Sequence, residues 1–317
     1  MLKALSPSFL RKPESSLFIE LQNTWTPVTL SRRKPGTGGT TFYELINLDS
    51  LNRDALLETG SMRFSVLASG SSGNACYVET PEARILIDAG LSGEELIRRM
   101  EKAGIDPGKL DALILTHEHI DHIRGAGPLA RRLNLPVYIN GLTLRRALRT
   151  LGNLSRPVVF HTGQPITIHG LCVETFTKCH DAADPVGIVV HADGARLGII
   201  TDLGRSTPVV EDRLQGCHAL VVEFNHDERM LDEGPYPLEL KRRIKGPEGH
   251  LSNAQAGGLL KTLRHDALST VILAHLSETN NHPEKAIQAS EKVLSGLRVK
   301  VLVSDQACVL PMMDVAG

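Results

Sequence analysis

The segment Thr116-His117-Glu118-His119-Ile120-Asp121-His122 packs four potential metal ligands, His117, His119, Asp121 and His122, into six residues. Imidazole and carboxylate are the donors of hydrolytic zinc sites. Donors spaced this closely cannot all close on one ion without strain. They divide into two pairs, His117 with His119 and Asp121 with His122, which points to two adjacent cations. Solvated loop histidines would explain one or two of these residues, but not four directly behind a buried strand.

That strand is the apolar run Ala112-Leu113-Ile114-Leu115. Gly125, Gly127 and Pro128 follow the motif, which places it in the loop between the strand and the next helix. The same alternation holds from Met62 onward. Strands are expected at 64–68, 74–79, 84–88, 112–116 and 136–139, then at 157–160, 165–168, 171–176, 186–191 and 196–201. Further strands at 218–224, 269–274 and 298–304 alternate with helices. Ser92-Gly93-Glu94-Glu95 reads as a capping box opening a helix to about residue 103. Helices are also expected at 128–134, 142–151, 238–245 and 252–265. Strand meanders mixed with helices suit two mixed sheets covered by outer helices. No repeat of solenoid period is present.

Residues 1–61 differ from the rest. Pro7, Pro13, Pro27 and Pro35 punctuate them, and Arg32-Arg33-Lys34 runs into a Gly-rich stretch. This reads as an N-terminal extension, disordered or loosely packed, ahead of a hydrolase domain at 62–317. Met62, where the first strand starts abruptly, is a candidate natural start.

The 317 residues are 41% hydrophobic and 22% charged, an ordinary globular composition. A formal net charge of −1 excludes a global basic field, so any nucleic-acid binding must use a local patch. Five scattered cysteines without a CxxC pair argue against a disulfide framework and suit a reducing cytoplasm. No apolar run has membrane-spanning length, so no membrane partner is expected. Ser69-Gly70-Ser71-Ser72-Gly73-Asn74 lacks the lysine of a phosphate loop and joins two strands. It reads as a hairpin loop that can still lie at the mouth of a site.

The H-x-H-x-D-H pattern resembles the signature of the metallo-β-lactamase superfamily. The resemblance implies an α/β (α+β) fold, a four-layer αββα sandwich of two mixed β-sheets flanked by helices, with metals at one edge. It also implies further ligands at strand ends. His180 follows the strand ending near Phe176, Asp202 ends the strand through Ile200 and Thr201, and His275 ends the strand Val271-Ile272-Leu273. Asp202 taken alone reads equally as a helix N-cap. In the company of the histidine motif it is expected to bridge two cations. The implied first ion takes His117, His119 and His180, the second Asp121, His122 and His275. Two divalent metal ions are expected, zinc foremost and manganese as the other option.

His250, in Gly249-His250-Leu251-Ser252, has no place in that ligand set. In the phosphodiesterase branches a histidine before the penultimate helix lies near the scissile phosphate. The resemblance therefore implies a proton donor or phosphate contact, against the plainer reading of a capping or solvent histidine. Glu223, in Glu223-Phe224-Asn225-His226-Asp227, would orient it. Asp121, His250 and Glu223 form the expected catalytic set, while His226 and Asp227 read either as site residues or as the start of a helix.

These motifs, with Gly234-Pro235-Tyr236-Pro237 and His275-Leu276-Ser277, resemble the YycJ/WalJ-type branch of bacterial metallo-hydrolases, linked to 5′ exonuclease activity on DNA. The implied function is phosphodiester hydrolysis, with DNA ahead of RNA as substrate and a metal-bridging hydroxide as attacking group. The basic run Lys241-Arg242-Arg243-Ile244-Lys245 reads either as a solvated face or as a phosphate contact. The other readings are hydrolysis of a small phosphodiester, thioester or lactone by the same metals, and a nucleic-acid-binding scaffold with a relic site. Residues 203–274 leave little room for an inserted cap domain, so an open site is expected.

Overall fold

A computed structural model of the chain describes residues Leu17–Leu21, Thr24–Val28 and 62–315. The first two segments, β1 (Leu17–Leu21) and β2 (Thr24–Val28), form an antiparallel hairpin with Leu17 opposite Val28. The sequence reading of 1–61 contained no strand there. The rest of that reading lies outside the described residues.

From Met62 the chain runs β3 (Arg63–Ala68), β4 (Ala75–Glu79), β5 (Arg84–Ile87), α1 (Gly93–Lys102) and β6 (Ala112–Ile114). It continues through α2 (Ile120–Ile123), α3 (Ala126–Leu133), β7 (Val137–Asn140), α4 (Gly141–Leu151), β8 (Pro157–Phe160) and β9 (Ile166–Ile168). Then follow β10 (Leu171–Thr177), β11 (Val186–Ala192), β12 (Ala195–Ile200), α5 (Pro208–Leu214) and β13 (Ala219–Glu223). The remainder is α6 (Glu228–Glu233), α7 (Leu238–Lys245), α8 (Asn253–Leu263), β14 (Thr270–Ala274), α9 (Pro283–Leu294), β15 (Lys300–Val303) and β16 (Met313–Asp314).

The strands make two seven-stranded mixed sheets. One has the order β16-β3-β4-β5-β6-β7-β8, the other β15-β14-β13-β12-β11-β10-β9. Side chains alternate across each strand, which sorts them into layers. Ile85, Ile87, Ile188, Val190 and Ile272 join one core cluster shared by the two sheets. Leu86 and Leu113 instead pack with Leu96, Met100 and Leu129 of α1 and α3. Val189, Val271 and Leu273 pack with Leu259, Leu260 and Leu263 of α8. Strands apolar on both faces must be covered on both faces, so the layering is helices, sheet, sheet, helices.

Element ends match the sequence expectation to within about two residues, the usual blur of such boundaries. After Met62 the short elements α2, α5 and β16 were not anticipated, while α6 follows Asp227, as one of the two readings of His226 and Asp227 had it. The box expected at Ser92 forms by half. Ser92 Oγ accepts from Glu95 N, but the Glu95 carboxylate turns to Arg98 and Arg99 instead. The complete capping box opens α8, where Ser252 and Gln255 exchange both bonds. Among the described residues no helix is long and apolar enough to cross a membrane.

Candidate metal centre

The parallel strands β12, β13 and β14 run in register, with Ile200 beside Val222 and Val222 beside Leu273. The residues that leave these strands together are therefore Asp202, Glu223 and His275, all along one sheet edge. The motif loop after β6 and His180 after β10 reach the same edge. Asp88, Asp202 and His275 all adopt positive φ, at 59°, 53° and 56°. Left-handed backbone at non-glycine residues costs about 1–3 kcal/mol each and persists where the surroundings impose it. Here it turns the chain sharply and drops each side chain back over the strand ends.

The structure brings all seven expected ligands together. The donor atoms of His117, His119 and His180 lie within 4.8 Å of one another, as do those of Asp121, His122, Asp202 and His275. Asp202 stands between the groups: Oδ2 is 3.0 Å from His122 Nε2, and Oδ1 is 3.4 Å from His275 Nε2 and 3.9 Å from His180 Nε2. It caps no helix, since α5 begins later with Thr207 as its N-cap.

Two carboxylates orient the imidazoles. Asp88 accepts from Thr116 N and Thr116 Oγ1, and takes a third bond from His122 Nδ1 at 2.7 Å. The Thr116 hydroxyl, donating to Asp88, accepts from His117 Nδ1 at 3.0 Å. Both rings therefore turn Nε2 toward the cluster, where His117 Nε2 has no hydrogen bond. Glu223 does the same on the other side. Its Oε1 takes His275 Nδ1 at 2.9 Å and His250 Nδ1 at 2.8 Å, while Oε2 takes Leu203 N and Leu251 N. His180 Nδ1 lies 3.3 Å from Gly249 O, which leaves its Nε2 for the cluster.

The donor set fits cations. Among the described residues, His117 Nε2, Asp202 Oδ2 and His275 Nε2 are buried without a hydrogen bond. Orphaned buried polar atoms are costly, and three of them converge here. The electrostatics ask for the same thing. Burial alone would lower His122 and His275, yet Asp202 and its neighbouring carboxylates push His122 up to about 10 and His275 well above the usual range. Burial would raise Asp202, but His275 and His122 hold it well below the normal carboxylate range. Burial and the adjacent His122 keep His117 well below 6.5, hence neutral with its lone pair exposed. In tetrahedral zinc coordination two donors, each about 2.0–2.2 Å from the ion, are about 3.3–3.6 Å apart. Donors at the 4.8 Å limit of these groups close on an ion by moving together by a little over about 1 Å.

Asp88 and Asn74 were not singled out from the sequence. Asn74 Nδ2 reaches Asp121 Oδ2 at 3.3 Å and His122 Nε2 at 3.0 Å, and its backbone N donates to Asp121 O. The signal for Asp88 was an acidic residue closing the buried strand Arg84–Ile87. The Ser69–Asn74 loop does lie at the site, since Ser69 Oγ accepts from His275 N and Ser71 lines the cavity. The two undecided residues are resolved. Asp227 is the N-cap of α6, accepting from Met230 N, and pairs with Lys285. His226 is buried under a backbone bridge to Ser252 and lies outside the ligand groups.

A cavity of about 340 Å³ opens beside the ligands. His250 is 22% exposed on its side chain and lines it, with Arg243 and Ile244 of the basic helix α7.

A histidine–aspartate metal constellation at the edge of two facing mixed sheets defines a metal-dependent hydrolase of the β-lactamase superfamily, and residues 83–276 match the Beta-lactamase superfamily domain. The chain belongs to that family. It is 39% identical over 235 residues to Exodeoxyribonuclease YycJ of Bacillus anthracis, covering 74% of this chain and 89% of that protein. It is 35% identical over 229 residues to Exodeoxyribonuclease WalJ of Streptococcus pneumoniae serotype 2 (strain D39 / NCTC 7466), covering 71% of this chain and 85% of the relative. In fold it is similar to the crystal structure of the metallo-β-lactamase fold protein YhfI from Bacillus subtilis. That comparison has a TM-score of 0.62 at 17% identity and covers 79% of this chain and 99% of the other.

Proposed function

We propose that this chain is a nuclease that hydrolyses phosphodiester bonds of DNA, acting from a 5′ end, with two divalent cations. His117, His119 and His180 would hold one cation, Asp121, His122 and His275 the other, with Asp202 between them. Bound there, the cations supply an acidified water and neutralise phosphate charge. The chain's own residues do the rest. Asp88 and Glu223 fix the imidazole tautomers, and the cavity admits a phosphate from one side.

The observation that carries the reading is the Glu223–His250 pair. His250 Nδ1 is bound to Glu223 at 2.8 Å, so the ring turns its Nε2 side toward the cavity. A protonated imidazole held by a buried carboxylate is suited to give its proton to a leaving alkoxide. A thioester, whose thiolate leaves without a proton, gives less use to such a donor. The names of the two bacterial relatives support a DNA substrate.

The test is digestion of end-labelled single- and double-stranded DNA and RNA in the presence of Mn²⁺ or Zn²⁺. Release of nucleotides from the 5′ end of DNA is expected. Metal-loaded protein that turns over no polynucleotide would overturn the reading. Asp202→Ala is expected to lower the content of both cations, and elemental analysis finding two retained per chain would remove Asp202 from the bridging position.

A further inference from the structure

Helix α7 has eight residues and none of them is buried. Leu240 and Ile244, four apart and so on one helix face, are half-buried and line the cavity beside the ligands. Tyr236, just before the helix, lines it too. The apolar face of α7 is therefore turned to an open cavity and not to the core. From the ligand side Ile120, 50% exposed between His119 and Asp121, adds a further apolar side chain to the same space. Charge holds the helix in place. Arg243 Nη2 meets Asp181 Oδ2 at 2.6 Å, and Asp181 Oδ1 lies 3.6 Å from His180 Nε2. Lys245 pairs with Asp232 of α6.

An aromatic ring and three aliphatic side chains gain nothing from surrounding a phosphate or water. They match a flat heteroaromatic ring attached to that phosphate. We propose that Tyr236, Leu240, Ile244 and Ile120 form a nucleobase subsite, and that Arg243 holds a phosphate of the same strand. This rests on the nuclease reading and specifies its substrate: the nucleotide at the centre enters unpaired. An interior base of a duplex has both faces stacked and a terminal one frees only its outer face, so a base flanked from both the α7 side and the Ile120 side has left its pair. Contact through apolar and aromatic groups tolerates any base, because every base has a π-face. The subsite therefore selects for the presence of a base and not for its identity.

The test uses metal-loaded full-length protein and two end-labelled deoxyoligonucleotides, one natural and one with abasic residues at both terminal positions. Wild type is expected to favour the natural strand in kcat/KM by about 10- to 100-fold, the range of one lost stacking contact. Tyr236→Ala and Leu240→Ala should bring that ratio toward one through a rise in KM for the natural strand. Tyr236→Phe keeps the ring and should keep the ratio. A wild-type ratio of one, with both strands cut, overturns the subsite and leaves the nuclease standing. So does an unchanged ratio in both alanine variants, or a lost ratio in Tyr236→Phe. Wild type that cuts neither strand overturns the nuclease reading, and the subsite with it.

Discussion

Asp88 and Glu223 make the chemistry of the site possible without belonging to the seven-residue ligand set. Each is buried, and each receives the Nδ1 side of imidazoles whose Nε2 side faces the cluster. For His117 the link runs through Thr116. Asp88→Asn keeps the volume but places an amide where His122 needs an acceptor. Metal affinity is expected to fall by about 10- to 100-fold, the usual effect of losing such an outer partner. Competition with a chromophoric chelator measures it, and an unchanged affinity would remove Asp88 from the network. His250→Ala separates proton donation from metal binding. It should retain both cations and slow cleavage of an ordinary phosphodiester by about 10²- to 10⁴-fold. The loss should shrink for a nitrophenyl ester, whose leaving group needs no proton. Equal slowing on both esters would make His250 a phosphate contact instead. The local ligand motif was legible because its spacing is its signal. Asp88 was not, since one acidic residue at a strand end has no partner in sequence and meets His122 only after folding.

The strands were legible because both sheets are covered on both faces, which writes them as short continuous apolar runs bounded by polar turns. The helix α2 was hidden inside the ligand motif. Its four residues, Ile120–Ile123, are too few to show a period. The segment α6, also short, was legible only as one of the two readings of His226 and Asp227, whereas α7 was expected at its observed bounds, 238–245. Backbone contact between elements was also invisible. A Cβ added at Gly90 would sit 1.6 Å from Asp121 O, and the neighbouring Asn74 N donates to that same carbonyl. The loop after β5 and the motif loop approach so closely only because residue 90 has no side chain. Gly90→Ala should therefore force the Asp121 backbone away, destabilising by about 1–3 kcal/mol or more as overpacking does. It should also weaken the second cation, held by Asp121, more than the first. Thermal unfolding with and without metal checks both parts. A melting temperature like wild type in both conditions would mean that the loops have slack to separate.

Both sheets, all seven candidate ligands, and Asp88, Glu223 and His250 fall between Met62 and Val315. The closing strand β16 pairs with β3, Met313 beside Phe64, so the last strand of the domain returns to its first. The backbone of Val315 donates to Met62 O at 2.8 Å, which fastens the two ends together. Among the described residues, every strand of the two seven-stranded sheets lies between Met62 and Val315. A protein starting at Met62 is expected to fold, bind the same number of cations and cleave end-labelled DNA at a rate within about twofold of the full chain. Its melting temperature should differ by no more than a few degrees, since a change of about 1 kcal/mol moves a domain of this size by only about 2–4 °C. Elemental analysis, thermal unfolding and the digestion assay decide the matter together. A truncated protein that melts cooperatively and carries its metals but cuts no DNA would place the N-terminal segment on the substrate path. One that fails to fold would make the segment part of the domain itself.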